Sequence, residues 1–261
     1  MHPLVDPSRH PVFAHRGNSA HAPENTMEAF RQAIALGVDG IELDVRATAD
    51  GQIVVIHDPT VNRTTSGGGA VAELTLAQVQ QLDAGARFAS DGGTSHPWRD
   101  RGIFIPTLDE VLRDTPGVPL LIELKTPAAS TGTRAIIERH AATERCIVAS
   151  FDYRSVLPFR GSAIRTGSSR RDVARMLLPA GFGLTIRTPG FDAMCIPRSF
   201  RGVPLPVAAL ARALRGAGVF VHIWTVDDAA LARSLWKAGV RGIISNDPAV
   251  ILAERARLFE L

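Results

Sequence analysis

Two seven-residue stretches at opposite ends of the chain share one pattern. Ala35-Leu36-Gly37-Val38-Asp39-Gly40-Ile41 matches Lys237-Ala238-Gly239-Val240-Arg241-Gly242-Ile243, and Arg215-Gly216-Ala217-Gly218-Val219 is a looser version. Each reads as a helix closed by a glycine that accepts the left-handed conformation, followed at once by an apolar strand. Repeated helix-to-strand units imply a parallel sheet joined by right-handed crossovers. Short apolar runs that read as strands buried on both faces fall at Val12–Ala14, Gly40–Val45, Leu120–Leu124, Ile147–Ser150, Ala163–Thr166, Met194–Ile196, Val219–Thr225 and Gly242–Ser245. Helical segments separate most of them, among them Thr26–Leu36 after a cap-like Asn25, and Ala229–Ala238. Periodicity does not by itself separate a closed barrel from an open sheet. Eight strands favour the closed form.

The chain of 261 residues has the usual size of one (β/α)₈ barrel. It is read as a single domain over 1–261. One segment breaks the alternation. Asp50-Gly51 makes a tight turn that pairs Gln52–Ile56 back onto the preceding strand, and 58–106 is then rich in Thr, Ser, Gly and Asp, with one helical stretch near Leu76–Leu82. This is expected to be an inserted subdomain after the second strand, and its Gly67–Gly69 run lacks the strand–glycine–helix setting of a phosphate loop.

Composition excludes several function classes. The net charge is +3 with only two lysines, and the arginines at 160, 165, 170, 171 and 175 are spaced like a solvated helix face. With a single Tyr, nothing suggests a platform for stacked bases, so no nucleic-acid partner is expected. No apolar run reaches membrane-spanning length, and the first residues lack a secretory apolar segment. Cys146 and Cys195 sit in separate apolar runs and read as free buried thiols. A cytoplasmic setting is expected.

Residues two apart on a strand point the same way, so Glu42 and Asp44 project together from an apolar strand, as do Glu123 and Lys125. Ionisable groups in core strands are costly unless they pair or bind something, and barrels place active sites at the C-terminal strand ends. Three carboxylates converging there make a hard-oxygen site for Mg²⁺ or Ca²⁺. A structural ion pair, Glu42 with an arginine or Glu123 with Lys125, is the competing explanation. His15 follows the first strand directly and His57 ends the Ile53–Ile56 run. Three carboxylates, one divalent ion, Arg16 and Lys125 leave a single net positive charge, which complements a phosphodiester. Two imidazoles titrating near neutrality can divide the two proton transfers that diester cleavage needs.

His15-Arg16-Gly17, Ala22-Pro23-Glu24-Asn25-Thr26, Gly40-Ile41-Glu42-Leu43-Asp44-Val45, His57-Asp58 and Arg63-Thr64-Thr65 occur in this order. With Leu82-Asp83-Ala84-Gly85, Glu123-Leu124-Lys125 and Trp224-Thr225-Val226, they resemble the glycerophosphodiester phosphodiesterase family across nearly the whole chain. The resemblance implies a TIM (β/α)₈ barrel with a small insertion after the second strand, one divalent cation, and hydrolysis of a small glycerophosphodiester to glycerol 3-phosphate and an alcohol. It implies acid–base roles for His15 and His57, metal ligation by Glu42, Asp44 and Glu123, and phosphate contact by Arg16 and Lys125. Trp224 is a candidate wall for the glycerol or alcohol group. His222, two residues earlier, reads as a core histidine, and Glu24 as a partner for a catalytic histidine.

Three departures stand out. Asp227 replaces the family's usual Asn, Ser245-Asn246 stands where Thr-Asp is common, and Ser95–Gly102 lengthens the insertion. The alternative function is a phospholipase D-like lysophospholipase or sphingomyelinase on the same barrel. It would need an apolar channel or a membrane-binding loop, for which the polar 58–106 segment offers little. An enolase-type proton abstractor would need a capping domain, and a non-catalytic binding barrel would not need the two histidines.

Overall fold

The computed structural model describes residues 1–89, 91 and 93–259; Ser90 and Gly92 of the expected insertion, and the last two residues, lie outside that set. The strands are β1 (Val12–His15), β2 (Gly40–Ala47), β3 (Ile53–Val55), β4 (Leu120–Leu124), β5 (Cys146–Ala149), β6 (Arg165–Thr166), β7 (Ala193–Pro197), β8 (Ser199–Phe200), β9 (Val203–Pro204), β10 (Phe220–Trp224) and β11 (Gly242–Ser245). The helices are α1 (Met27–Ala35), α2 (Leu76–Gln80), α3 (Leu108–Asp114), α4 (Ser130–Arg139), α5 (Tyr153–Val156), α6 (Arg170–Gly181), α7 (Val207–Arg215), α8 (Ala229–Lys237) and α9 (Pro248–Phe259).

Eight parallel strands run β6-β5-β4-β2-β1-β11-β10-β7 around a nearly closed barrel, each followed in the chain by a helix of the outer layer. Closure between β6 and β7 rests on one parallel bridge, Gly167 to Ala193, and on Asp192 N donating to Thr166 O at 2.8 Å. β3 folds back antiparallel on β2, as the Asp50-Gly51 turn requires. Among the described residues, no helix is long and apolar enough to cross a membrane.

Strand period sorts the barrel into two layers. Outward side chains such as Ile41, Leu43 and Ile122 are fully buried under the helices, while Phe13, Leu121, Ile147, Ala193 and Ile244 fill the interior. The repeated motif explains itself here. Gly37 and Gly239 have φ of +76° and +95°, the left-handed caps expected. The second glycine of each copy makes room inside the barrel. A Cβ on Gly40 would lie 2.4 Å from Phe13 Cζ, and one on Gly242 would lie 2.3 Å from His222 Nδ1.

The floor of the barrel is sealed by the first few residues. Leu4 is fully buried, its carbonyl oxygen accepts from His222 Nε2 at 2.8 Å, and His2 Nε2 reaches Leu120 O at 3.3 Å. His222 is thus a core histidine, and burial pushes its pKa down to about 3.

Between β3 and α3 the chain packs Val61, Val71, Val79, Ala84 and Ile105 against Val54 and Ile56. A capping box at Thr75 and Gln78 starts α2. The Gly67–Gly69 run is a packed turn: Leu82 lies where a Gly67 Cβ would go, and Gly69 N donates to Asn62 Oδ1 at 3.0 Å. The segment reaches the barrel mouth through Trp98 Nε1, which donates to His21 O at 3.1 Å.

Candidate active site

β1 ends at His15 and the chain turns at once through Arg16, whose φ of +56° is unfavourable for a residue with a Cβ. That conformation directs the Arg16 N–H onto Glu42, 2.8 Å from its backbone oxygen and 3.2 Å from Oε2. Asn25 is also left-handed, with φ +58°. It is not the helix cap the sequence suggested. Thr26 caps α1, accepting from Ala29 N at 3.3 Å. The Asn25 amide instead grips Asp44, Nδ2 donating to Oδ2 at 2.9 Å and Oδ1 accepting from Asp44 N at 3.3 Å.

Glu42, Asp44 and Glu123 stand on neighbouring strands, and one carboxylate oxygen from each lies within 4.8 Å of the others. Lys125 Nζ bridges Asp44 Oδ1 at 2.8 Å and Glu123 Oε1 at 2.7 Å, so the ion pair weighed as a competing explanation sits inside the carboxylate cluster. Arg16 Nε lies 3.1 Å from Asp44 Oδ2. These neighbours set three different acidities. Against the cost of burial, Lys125 and Arg16 hold the Asp44 carboxyl below its usual range. Burial pushes Glu42 well above its own, and the nearby Asp44 and Glu123 push the same way. Burial also raises Glu123, though Lys125 opposes it.

The two histidines flank this cluster. His15 Nδ1 lies 2.7 Å from Asn246 Oδ1, and its Nε2 lies 3.8 Å from Glu42 Oε2. His57 Nδ1 lies 2.7 Å from Asp58 Oδ1. Burial lowers the pKa of both rings, with Asp44 and Asp58 opposing the shift at His57. The same cavity is lined by His15, Arg16, Glu42, His57, Glu123, Lys125 and Trp224, and Asp44 lies beneath it. Trp224 stands edge-on to Phe151, their ring centroids 5.6 Å apart.

Sequence reasoning missed the links between these residues. Glu24 bonds no histidine. It accepts from Arg16 Nη1 at 2.8 Å and takes the Arg63 guanidinium in a fork, both contacts at 2.7 Å. Arg63 also donates from Nε to Asp58 Oδ2 at 2.6 Å. A continuous chain, Arg16–Glu24–Arg63–Asp58–His57, therefore ties β1 to the far histidine. The His57-Asp58 and Arg63 motifs were visible in sequence, but not which carboxylate Arg63 would join.

Two further grooves open from the cavity. An apolar one, lined by Phe151, Val173, Leu177, Ile196, Phe200 and Leu205, lies over the ends of β5 to β7, opposite the 58–106 segment. A polar one carries Arg46, Arg154, Arg170 and Arg171. The arginines after β5 are not one solvated face. Arg160 pairs with Asp172 at 2.8 Å, and Arg170 lies 4.6 Å over the Phe151 ring. Both cysteines are free thiols, and burial pushes Cys146 up to about 12.

The model of the glycerophosphoryl diester phosphodiesterase family matches residues 15–250 of this chain, which takes in every candidate site residue. The chain belongs to that family. A glycerophosphodiester phosphodiesterase from Caldanaerobacter subterraneus subsp. tengcongensis is 35% identical over 92% of this chain and 96% of its own length. The glycerophosphoryl diester phosphodiesterase domain of an uncharacterized Mycobacterium tuberculosis protein superposes with a TM-score of 0.83 at 24% identity, over 96% of this chain and all of that one. An Oleispira antarctica phosphodiesterase, solved in complex with its product sn-glycerol-3-phosphate, gives a TM-score of 0.75 at 24% identity, covering 94% and 96% of the two chains. These two likenesses establish the barrel fold. Family membership makes the chain an enzyme of the glycerophosphodiester phosphodiesterase class.

Proposed function

We propose that this protein hydrolyses glycerophosphodiesters to glycerol 3-phosphate and an alcohol, using His15 and His57 for proton transfer and one divalent cation, Mg²⁺ or Ca²⁺, held by Glu42, Asp44 and Glu123. The observation that carries the reading is the convergence of two imidazoles, three carboxylates and two cationic side chains on one cavity at the C-terminal strand ends.

The residues fit a hard cation. Three carboxylate oxygens within 4.8 Å of one another suit a single ion with oxygen ligands at about 2.0–2.6 Å. Glu42 is the most telling of the three, because its carboxyl is raised by burial beside two other acids. Bound there, a divalent cation supplies positive charge against the phosphoryl oxygens as negative charge builds on them. Arg16 and Lys125 hold the phosphate from the protein side, Arg16 being steadied by Glu24 and Asp44. The glycerol 2-hydroxyl attacks phosphorus while one imidazole takes its proton. The other imidazole protonates the departing alcohol oxygen, and water then opens the cyclic phosphate. The tethered nucleophile gains its advantage from proximity. Trp224 forms one wall for the organic groups.

The chain is one barrel domain in this reading, with 58–106 as an inserted subdomain around its own small apolar cluster. Two free thiols support a cytoplasmic setting. The lysophospholipase or sphingomyelinase alternative is not favoured, since the relative matched over nearly the whole chain carries the glycerophosphodiester name. Detergent-dispersed lysolipid assayed beside glycerophosphocholine separates the two readings. The central test is a panel of glycerophosphodiesters with EDTA and metal add-back, read as glycerol 3-phosphate, on wild type, H15A and H57A. Each variant is expected to lose about 10²–10⁴-fold in kcat. Near-normal turnover by both variants with metal present sinks the mechanism.

A further inference from the structure

Asp227 and Asn246 stand far apart in the sequence, in the loops that follow β10 and β11. In the structure they touch. Asn246 Nδ2 donates to Asp227 Oδ2 at 2.8 Å, and its other amide atom, Oδ1, faces His15 Nδ1 at 2.7 Å. Acid and amide exchange hydrogen bonds along one line leading to His15.

The exchange has a chemical consequence. A carboxylate offers only acceptors, whereas an amide has one accepting end and one donating end. Asp227 Oδ1 accepts from Ser245 Oγ at 2.8 Å, from Asn246 N at 2.7 Å and from Asp247 N at 3.4 Å. Its Oδ2 is left for the side-chain amide and admits only the NH₂ end. A reversed amide would press Oδ1 against that oxygen. The amide carbonyl must therefore point at His15, and Nδ1 must carry the ring proton to meet it. Ser19 Oγ lies 3.0 Å from Asn246 Oδ1, but its single proton has a shorter acceptor in His15 O at 2.7 Å, so the amide orientation rests on Asp227. His15 Nε2 is then the nitrogen left for the reaction, on the side of the ring that faces Glu42.

We infer that Asp227 and Asn246 are positioning residues that fix the His15 tautomer, holding a proton on Nδ1 and leaving Nε2 as the nitrogen that exchanges a proton in the reaction. The inference rests on the proposed role of His15, and the test separates the two.

In D227N/N246D every contact has a counterpart. The amide introduced at position 227 offers its oxygen to Ser245 and the backbone, and its NH₂ to the carboxylate introduced at position 246, which takes His15 Nδ1. The single variants break the line. N246D sets carboxylate against carboxylate, and D227N leaves the Asn246 amide free to turn. N246D is expected to lower kcat about 100-fold and D227N about 10-fold, with KM within about twofold of wild type, and D227N/N246D to recover to within about threefold. In ¹⁵N imidazole spectra at a pH where the ring is neutral, His15 should be Nδ1-protonated in wild type and a mixture of tautomers in D227N. Wild-type kcat in N246D, or a folded double variant no better than N246D, overturns the inference. Should N246D fail to fold, the D227N tautomer decides, and an unchanged spectrum overturns it. If H15A turns over normally, the function proposed for His15 falls, and this inference falls with it. If H15A is inactive while the swap series is flat, only the positioning role is lost.

Discussion

Arg63 is the sharpest single probe of the site, because it touches no candidate catalytic group yet holds two carboxylates that do. It makes four charge-assisted hydrogen bonds, two to Glu24 at 2.7 Å and two to Asp58 at 2.6 and 3.2 Å. Such bonds are worth about 1.5–3 kcal/mol each when well protected. The Arg63 side chain is 49% exposed, so solvent screening removes most of that. A net loss of about 1–3 kcal/mol is reasonable for Arg63→Ala, allowing for two carboxylates left facing each other. In a chain of this size that lowers Tm by roughly 2–12 °C. Activity should fall further than stability implies. Asp58 loses the partner that fixes its orientation against His57, and Glu24 loses the one that steadies it against Arg16. We expect kcat to drop about 10–100-fold and KM to rise, with Arg63→Lys intermediate because it keeps the charge and loses the fork. Steady-state kinetics and calorimetry on the three proteins measure both quantities. Wild-type kcat and KM in Arg63→Ala would show that the chain from Arg16 to His57 positions nothing.

Glu42→Gln should separate stability from function. Removing the most strained buried acid is expected to raise Tm in EDTA by a few degrees, roughly 2–4 °C per kcal/mol relieved, while abolishing metal-stimulated turnover. A lower Tm in EDTA would refute the view that this carboxylate is held at a cost. The barrel floor supplies a pH dependence. Burial depresses His2 to about 4 and His222 to about 3, so the unfolded chain binds protons below about 6.5 that the folded chain refuses. Stability is fully present above pH 6.5 and falls as pH drops from there toward 4, by up to about 1.4 kcal/mol per pH unit per histidine. Urea midpoints at several pH values should show a shallower decline in His222→Gln than in wild type, and an unchanged slope would refute this.

Much of the site was legible because strand period is a strict local rule. Glu42 with Asp44, and Glu123 with Lys125, had to share a face once their strands were recognised. His15 and His57 were marked by their place at strand ends. What escaped depended on which loops the barrel brings together. Asn25 looked like a helix cap because a capping residue and a residue gripping a neighbouring strand have the same composition, and only Thr26 one position on was free to cap. Glu24, Asp58 and Arg63 come from two loops joined across the mouth. The repeated glycines were half understood. The left-handed caps at Gly37 and Gly239 are local, but the room that Gly40 and Gly242 leave depends on Phe13 and His222 in neighbouring strands.

The sealed floor bears on how the chain is made. Residues 2–5 leave the ribosome before every strand of the barrel, yet Leu4 O waits for His222, 218 residues later, to donate to it. β1, though made early, pairs on one side with β11, the last strand of the barrel to be synthesised. During translation this early segment therefore remains without its final partners, and its apolar residues stay exposed, until nearly the whole barrel has emerged. Closure of the ring is a long-range event, the slow kind for a polypeptide. Vectorial synthesis and barrel completion are thus linked at the segment that seals the floor.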